Sequence, residues 1–316
     1  MAMMTARSAG ATAADVVRAS LTRRERDVVG TVLLISLLLT TLFTLTVLAA
    51  LLAQVIGEGA PLLSHRGAAF LTDPIGSDPD AIGIWPGLYG SLAIGAIVLV
   101  VAIPTGIAAA IHLEEYSTAS NPLTKLIMVS IRNLAGVPAV IYGVLGFIIF
   151  VSWLKPVTSG GSVVAAGLTM AVLVLPIVVI TSMEAIRAVP SGLRDAGFGV
   201  GASRWEVTRD HVLPYAAPGI LTGTVLSLSR ALGEAAPLII VGAITGFLPE
   251  TSLTGKFTAL PILIYSWSGR AQPPGSTYSY TAAAAATAVS LLIVVVFFNG
   301  SAVYLRNRFE RRRAGL

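Results

Sequence analysis

The stretch DAGFGVGASRWEVTRDHVLP, residues 195–214, is polar and charged, yet it lies between two long apolar stretches of the chain. Each flanking stretch is long enough to cross a bilayer, which takes about 20 helical residues. A membrane protein that keeps a long polar segment on one side of the bilayer usually meets a soluble partner there. Residues Glu184–Pro214 are therefore a candidate docking segment, and that name is kept for them below.

The composition indicates a membrane protein. Of the 316 residues, 55% are hydrophobic and 12% are charged, against roughly 25% charged in soluble domains. There is no cysteine, and the three histidines lie far apart in sequence, so neither a disulfide framework nor a metal site is predicted. The basic residues behind the net charge of +5 stand at span ends rather than in an array, which argues against nucleic-acid binding.

Six segments are apolar enough to span the hydrocarbon core. Continuous apolar runs favour helices, because the strands of membrane barrels are short and alternate in polarity. The predicted fold class is therefore all-α, a polytopic membrane protein with six transmembrane helices. The stretch Gly57–Ile84, rich in Gly, Pro and Asp, is predicted to be a loop. The predicted spans are Gly30–Ile56, Trp85–Ile111, Leu126–Leu154, Ser162–Met183, Pro218–Phe247 and Tyr280–Leu305.

The distribution of Lys and Arg predicts the orientation. With the N-terminus inside, fifteen basic residues fall on the cytoplasmic side, and only Arg66, Lys155, Lys256 and Arg270 fall outside. Both termini and the docking segment are thus predicted to face the cytoplasm. The predicted organisation is a cytoplasmic segment 1–29, a first, peripheral transmembrane helix 30–56, a transmembrane domain 85–305 that contains the segment 184–214, and a basic cytoplasmic tail 306–316.

The docking segment has local signals for two short helices. Gly201 is expected to interrupt them, and Ser203 is a good N-cap for a second helix within Ala202–Leu213. Pro214 is expected to end that helix, and Pro218 to start the next span. Spacing alone leaves an ordinary amphipathic interfacial loop open as the alternative.

Motifs for catalysis are absent from the sequence. It contains no G-x4-G-K-[ST] phosphate loop, and Thr254-Gly255-Lys256 is only a fragment of one. It contains neither a nucleophile elbow nor a metalloprotease helix. The chain is therefore not predicted to be an enzyme.

The spacing of the docking segment resembles the coupling motif EAA-x3-G-x9-I-x-L-P of bacterial ABC importers, through which the membrane subunit meets its ATPase. Asp195 stands for glutamate and keeps the acid, and two positions depart further from the motif, because Gly197 stands for alanine and His211 for isoleucine. The resemblance implies ATPase coupling through Asp195, Ala196, Gly197, Gly201, Leu213 and Pro214.

Three further stretches are similar to phosphate importer permeases of the PstA type: PTGIAAAIHLEEY at 104–116, LAGVPAVIYG at 134–143 and SRALGEAAPL at 229–238. The similarity covers roughly Trp85–Leu305. It implies that the last five spans form a type I ABC importer permease of the MetI-like fold, with the first helix added at its periphery. Such permeases often carry a base just before the acid that ends the fourth span, and Glu184 lacks one here.

The same resemblance implies a function and partners. The implied function is passage of inorganic phosphate into the cytoplasm across the bacterial inner (plasma) membrane. The implied partners are a PstC-type permease as second membrane subunit, a homodimeric cytoplasmic ATPase and an extracytoplasmic phosphate-binding protein, besides the lipid bilayer. No cofactor is expected in this chain, since ATP and Mg would be bound by the ATPase.

Arg230 is the most informative charge within the spans. Counted from Pro218 at 1.5 Å per residue it lies about 18 Å deep, where a lone charge costs about 2.5–3.5 kcal/mol, so it should face protein or water. Glu234, four residues on, is predicted to share its helix face. A guanidinium suits a phosphate oxyanion. We expect Arg230, Glu234 and Glu184 in the substrate path, and a plain ion pair between Arg230 and Glu234 stays open as the alternative.

Two other classes of function stay open. A permease for another oxyanion or a small nutrient would share the docking segment but need not share Arg230 and Glu234. A secondary transporter would need no such segment and would often show inverted repeats, which the sequence does not display.

Overall fold

The computed structural model describes residues 28–118, 120–244 and 251–313. Residues 1–27 of the predicted N-terminal segment, the predicted span end at Phe247 and tail residues 314–316 lie outside these ranges. The described α-helices are α1 (Val28–Arg66), α2 (Ala68–Thr72), α3 (Trp85–Ile111), α4 (Pro122–Ala135), α5 (Ala139–Gly146), α6 (Lys155–Thr158), α7 (Val163–Arg187), α8 (Ser191–Gly199), α9 (Arg204–Val207), α10 (Leu213–Gly233), α11 (Ala236–Val241), α12 (Leu260–Ser268) and α13 (Tyr280–Arg313).

Most of these helices are membrane spans by length and composition. Among the described residues, the helices α1, α3, α7, the run from α9 into α10, and α13 are long and apolar enough to cross a bilayer. A sixth span arises if α4 and the run from α5 to Trp153 count as one broken span. The prediction of an all-α polytopic membrane protein is confirmed.

The third predicted span, Leu126–Leu154, is wrong as a continuous helix. The chain turns by 104° between α4 and α5. Pro138, the N-cap of α5, has no N–H to continue a helix, and a proline disfavours helical backbone at the residue before it. The Tyr142 hydroxyl donates to the Leu134 carbonyl at 2.8 Å, which satisfies one acceptor that the break leaves free.

The fifth predicted span, Pro218–Phe247, is wrong at its start and is interrupted. Helix α10 begins at Leu213, holds Pro218 inside it and ends at Gly233. Glu234 has extended backbone, with φ −86° and ψ 119°. The reason for the break lies in Pro237, whose ring would clash with the carbonyl of Gly233, four residues earlier, if the helix continued. The proline instead stands in the first turn of α11.

The prediction of a loop at Gly57–Ile84 is also wrong in its first half. Helix α1 continues to Arg66, and α2 follows at once. A Cβ atom added at Gly59 would lie 2.7 Å from the backbone nitrogen of Ala286 in α13. Gly59 therefore serves close helix packing rather than a turn. In the sequence, a glycine at a helix contact cannot be distinguished from a glycine in a turn.

The chain divides into two units, one up to Gln54 and one from Val55 onward. In the first unit, the described residues 28–54 form a single helix with exposed apolar side chains. An apolar helix surface of this kind suits a hydrocarbon solvent. All other elements belong to the second unit.

Within the second unit, α3 and α7 pack closely along their length. A Cβ added at Gly106 of α3 would lie 2.6 Å from Val178 Cγ1, and one added at Gly167 of α7 would lie 2.7 Å from Ile97 Cβ. Small residues let membrane helices approach in this way. The α3–α7 pair forms the centre of the largest buried apolar cluster, which also includes Leu228 of α10.

Helix α10 also packs against α7. A Cβ added at Gly219 would lie 2.7 Å from Ala185 Cβ, and a Cβ added at Gly223 would overlap the Thr181 side chain. The pairing of 219 with 185 and of 223 with 181 makes the two helices antiparallel. It also sets the level of each residue of α10 relative to α7.

The loop before α3 is tied to the loop before α13 through Asp80. Its carboxylate accepts backbone hydrogen bonds from Thr277 and Tyr278, both at 2.8 Å. These two N–H donors hold the pKa of Asp80 below its usual range, because they stabilise the ionised carboxylate. The end of the molecule opposite the docking segment is therefore held together by side chain and backbone.

The close approach of α3 to the chain before α12 can be tested at Gly90. A Cβ there would overlap the Thr258 carbonyl oxygen, and the Ser91 hydroxyl next to it accepts from the Leu260 N–H at 2.9 Å. Gly90→Ala should destabilise the fold by about 1–3 kcal/mol, seen as a lower midpoint of thermal unfolding in detergent. Gly57→Ala is the matched control, since nothing lies within 4 Å of its added Cβ. An unchanged midpoint for Gly90→Ala would contradict the packing.

Candidate functional site

The docking segment consists of two short helices between α7 and α10. Helix α8 spans Ser191–Gly199, α9 spans Arg204–Val207, and a π-helical turn, Thr208–Val212, leads directly into α10. The prediction of two helices bent at Gly201 is confirmed. The prediction that Pro214 ends the second helix is wrong, because the π-helical turn runs on into α10 and Pro214 is the second residue of that helix.

Gly201 ends α8 for a stereochemical reason. Its φ is 85°, in the left-handed region that costs other L-residues roughly 1–2 kcal/mol. The Gly201 N–H donates to the Phe198 carbonyl at 3.0 Å, and the Ala202 N–H donates to the Gly197 carbonyl at 3.1 Å. These two bonds form a Schellman motif, which satisfies the last carbonyls of a helix.

Ser203 begins α9 through a capping box. The Glu206 carboxylate accepts from the Ser203 N–H at 2.7 Å, and the Ser203 hydroxyl accepts from the Glu206 N–H at 3.4 Å. The backbone N–H of each residue is thus satisfied by the side chain of the other. The predicted N-cap at Ser203 is confirmed, and the turn between the two helices is defined on each side by local chemistry.

The two departures from the coupling motif face each other. Gly197 is buried, and a Cβ added there would lie 2.7 Å from Val207 Cγ2 and 3.5 Å from His211 Cδ2. The small residue at 197 thus leaves room for the side chains at 207 and 211. The two departures are therefore complementary, because the residue without a side chain at 197 packs against the larger residue at 211, where α8 meets the turn after α9.

The other predicted coupling residues differ in exposure. Asp195, Ala196 and Pro214 are exposed, whereas Leu213 is half-buried. The same segment exposes three apolar side chains that the sequence analysis did not single out: Phe198 at 46%, Val200 at 84% and Trp205 at 52%. Exposed aromatic side chains on a polar segment are candidates for contact with a partner.

The docking segment is held to α3 by three consecutive residues of the π-helical turn that continues α3, Glu114, Glu115 and Tyr116. Arg187 pairs with Glu114 at 2.5 Å, and Arg194 pairs with Glu115 at 2.7 Å. Sequence analysis quoted this turn for its resemblance only and missed its role. The available signal was an acidic pair that follows one span, opposite an arginine-rich segment that follows another.

Tyr116 makes the third contact of this set. The Arg204 guanidinium lies 5.7 Å from the centroid of the Tyr116 ring, within cation–π range. The His112 ring stacks on Tyr116, with ring centroids 6.4 Å apart. An apolar cluster below these contacts includes Leu113, Ile186 and Val207. Polar and apolar contacts together hold the docking segment against the ends of α3 and α7.

The prediction that Glu234 shares the helix face of Arg230 is wrong. Arg230 is exposed in the last turn of α10, and the helix ends before Glu234. Among the residues that the structure describes, no ion pair joins the two side chains. The neighbouring Ser229 hydroxyl donates to Asn299 of α13 at 2.7 Å, so the face of α10 next to Arg230 is occupied by another helix.

The two breaks in the membrane helices meet near Arg230. Helices α5 and α11 begin after the two breaks and pack on each other, since a Cβ added at Gly143 would lie 2.8 Å from the Pro237 Cα. Arg230, Glu234 and the break at Pro138 thus share one region of the molecule.

Glu184 lies in a different region. It lines a groove with Met128, Ile131, Arg132 and Arg187, among others. Because Gly223 of α10 is level with Thr181, Arg230 is level with residues near Val174, about 15 Å along α7 from Glu184 at 1.5 Å per residue. The structure therefore does not bring Glu184 together with Arg230 and Glu234.

The described ranges contain no group of three or more His, Asp or Glu side chains that could hold a metal ion.

Comparisons with known proteins agree with this architecture. Residues 102–311 match the family model described as "Binding-protein-dependent transport system inner membrane component". A relative from Mycobacterium leprae, "Phosphate transport system permease protein PstA", is 33% identical over 184 residues, which cover 58% of this chain and 59% of the relative. A relative from Bacillus subtilis, "Probable ABC transporter permease protein YqgH", is 33% identical over 194 residues, which cover 60% and 62%.

The fold also matches solved structures. A chain of a bacterial alginate ABC transporter in complex with an alginate-bound periplasmic protein superposes with a TM-score of 0.63 at 16% identity, and the match covers 96% of this chain and 98% of that one. The curated relatives are matched over about three fifths of their own length, 59% for the first. Because the family model covers well over half of the sequence, the chain belongs to the family of binding-protein-dependent transport system inner membrane components.

Proposed function

We propose that this chain is the membrane-spanning, non-catalytic permease subunit of an ATP-driven importer, and that a separate ATPase docks on residues 184–214. The observation that carries the proposal is the form of that segment. A Schellman turn ends α8 and a capping box begins α9. The segment is anchored to α3 and exposes Phe198, Val200 and Trp205. A preformed projection with exposed aromatic groups suits a groove in a partner protein.

The family, whose members depend on a binding protein, and the names of the relatives as transport permeases support a multi-subunit complex. The proposed complex contains a second permease of the PstC type, a homodimeric ATPase that binds ATP and Mg, and an extracytoplasmic binding protein. The proposed orientation places both termini and the docking segment in the cytoplasm. The excess of Lys and Arg on that side of the predicted topology supports it.

We propose inorganic phosphate as the substrate. The Mycobacterium leprae relative is named as a phosphate transport permease. A guanidinium at a break between membrane helices offers planar donors to an oxyanion, and irregular backbone at membrane depth is tolerated where it lines a cavity. Arg230 would attract phosphate, and Glu234 would keep binding weak enough for release. Glu184 would act separately, on the inner part of the path.

A permease for another oxyanion or a small nutrient is the second candidate. The Bacillus subtilis relative leaves it open, since its name specifies an ABC transporter permease without a substrate. Such a protein would use the docking segment in the same way but would not depend on Arg230. A secondary transporter is disfavoured, because it would have no use for a preformed docking projection.

The exposed apolar face of the docking segment gives the first test. Val200→Asp and Trp205→Asp should lower the amount of ATPase that co-purifies with the solubilised chain by about tenfold or more, since interface aromatic groups often contribute 2 kcal/mol or more. Phosphate uptake should fall in parallel. Val157→Asp changes a side chain that is 74% exposed in α6, outside the docking segment, and should leave co-purification unchanged. Unchanged co-purification with both docking variants would refute the assignment.

The shape of the docking segment gives the second test. Gly201→Ala places a side chain at a φ of 85° and should lower the stability of the turn by about 1 kcal/mol. We expect reduced uptake at unchanged protein level in the membrane. Gly199→Ala is the matched control, because an added Cβ meets nothing within 4 Å and the residue is helical. If both variants transport equally well, the Gly201 turn is not needed for coupling.

The substrate assignment is tested at Arg230. Arg230→Ala should abolish phosphate uptake in a strain without its own permease, while the ATPase still co-purifies. The plain ion-pair alternative makes a different prediction: the double variant R230E/E234R would then recover uptake, because the charges are only exchanged. Normal uptake by Arg230→Ala would end the phosphate proposal at this site, whereas recovery by the double variant would favour the ion pair.

A further inference from the structure

Arg194 joins three parts of the chain through one guanidinium. Its Nε and Nη2 donate to Glu115 Oε1 at 3.1 and 2.7 Å. Its Nη1 donates to the Val189 carbonyl at 2.8 Å, and Nη2 also donates to the Ile186 carbonyl at 2.9 Å. One side chain of α8 therefore binds the end of α7, the link after it and the turn that continues α3.

The Arg194–Glu115 pair is shielded from water. The side chain of Glu115 is 9% exposed and that of Arg194 is 21% exposed. A charge-assisted pair of this kind is stronger and better oriented than a pair on an open surface. The adjacent Arg187–Glu114 pair is more open, with the arginine side chain 55% exposed. The Glu115 contact is thus the most firmly defined link between the docking segment and α3.

Helix α3 leads away from this link between α7 and α10. It packs on α7 at Gly106, and just past its midpoint a Cβ added at Gly95 would lie 3.1 Å from Leu232 Cδ2 of α10. Leu232 is two residues from Arg230. Gly95 and Glu115 are twenty residues apart, which is about 30 Å along a helix. A displacement of α8 that pulls on Glu115 would therefore act on a continuous run of helix that reaches the region of Arg230.

We propose that Glu115 and Arg194 are the positioning pair through which movement of the docking segment reaches α3. The proposal rests on the function proposed above. The ATPase would move α8, Arg194 would carry that movement to Glu115, and α3 would shift against α7 and α10. Neither residue is required to touch the ATPase or the phosphate, so their loss should separate ATP hydrolysis from transport rather than prevent assembly.

The test measures phosphate taken up per ATP hydrolysed by the complete complex in proteoliposomes. Glu115→Gln, which keeps shape but removes charge, should lower this ratio by about five- to tenfold while the ATPase still co-purifies. Asp73→Asn is the matched control. It makes the same chemical change in the Arg66–Asp73 pair, which joins the end of α1 to the loop before α3 at 2.5 Å. The ratio should stay at the wild-type value in this variant.

A second variant covers a failure of Glu115→Gln to fold. Arg194→Lys keeps the cation but loses the planar fork, so it should accumulate normally and lower the ratio in the same direction by a smaller factor. A wild-type ratio in the variants that accumulate would overturn the proposal. A wild-type complex that binds no ATPase would instead refute the proposed function, so the two failures are distinguishable.

Discussion

A peptide group in the hydrocarbon core has no water to bind, so every N–H and C=O there must find its partner inside the protein. This constraint explains why the spans are helical and why their interruptions are confined to particular places. At the break before Pro138, the Tyr142 hydroxyl donates a hydrogen bond to the Leu134 carbonyl. The break after Gly233 is followed by α11, whose Pro237 and Leu238 are buried. The helices that follow the two interruptions pack on each other at Gly143 and Pro237, and Arg230 and Glu234 stand on either side of the second interruption.

The parts of the fold that sequence could predict are those with a local cause. The existence of the spans follows from apolar length, the turn at Gly201 from a glycine between two helical patterns, and the start of α9 from the spacing of Ser203 and Glu206. Prolines were predicted less well, because the same residue can stop a helix or occupy its first turn. Pro214 was expected to stop a helix, but it lies at the start of α10. Pro237 does stop α10, because its ring would clash with the Gly233 carbonyl four residues earlier.

Contacts between distant residues lay beyond the sequence for a different reason. Glu115 and Arg194 are 79 positions apart, and nothing in either neighbourhood specifies the other. The two departures from the coupling motif show the same limit. Read singly, Gly197 and His211 weaken the resemblance, but in space the absence of a side chain at 197 accommodates the ring at 211 and Val207. A motif position is therefore better judged with its contact than alone.

The caps of the docking segment have a consequence for the kinetics of an assembly. The Schellman turn ends α8 and the capping box begins α9, both with hydrogen bonds inside the chain. The segment therefore holds its shape before any partner arrives. A partner that binds it then orders little backbone, and the entropy cost of association stays small. Under the function proposed above, association with the ATPase can therefore be fast even if its affinity is modest, because binding requires no prior rearrangement of the segment.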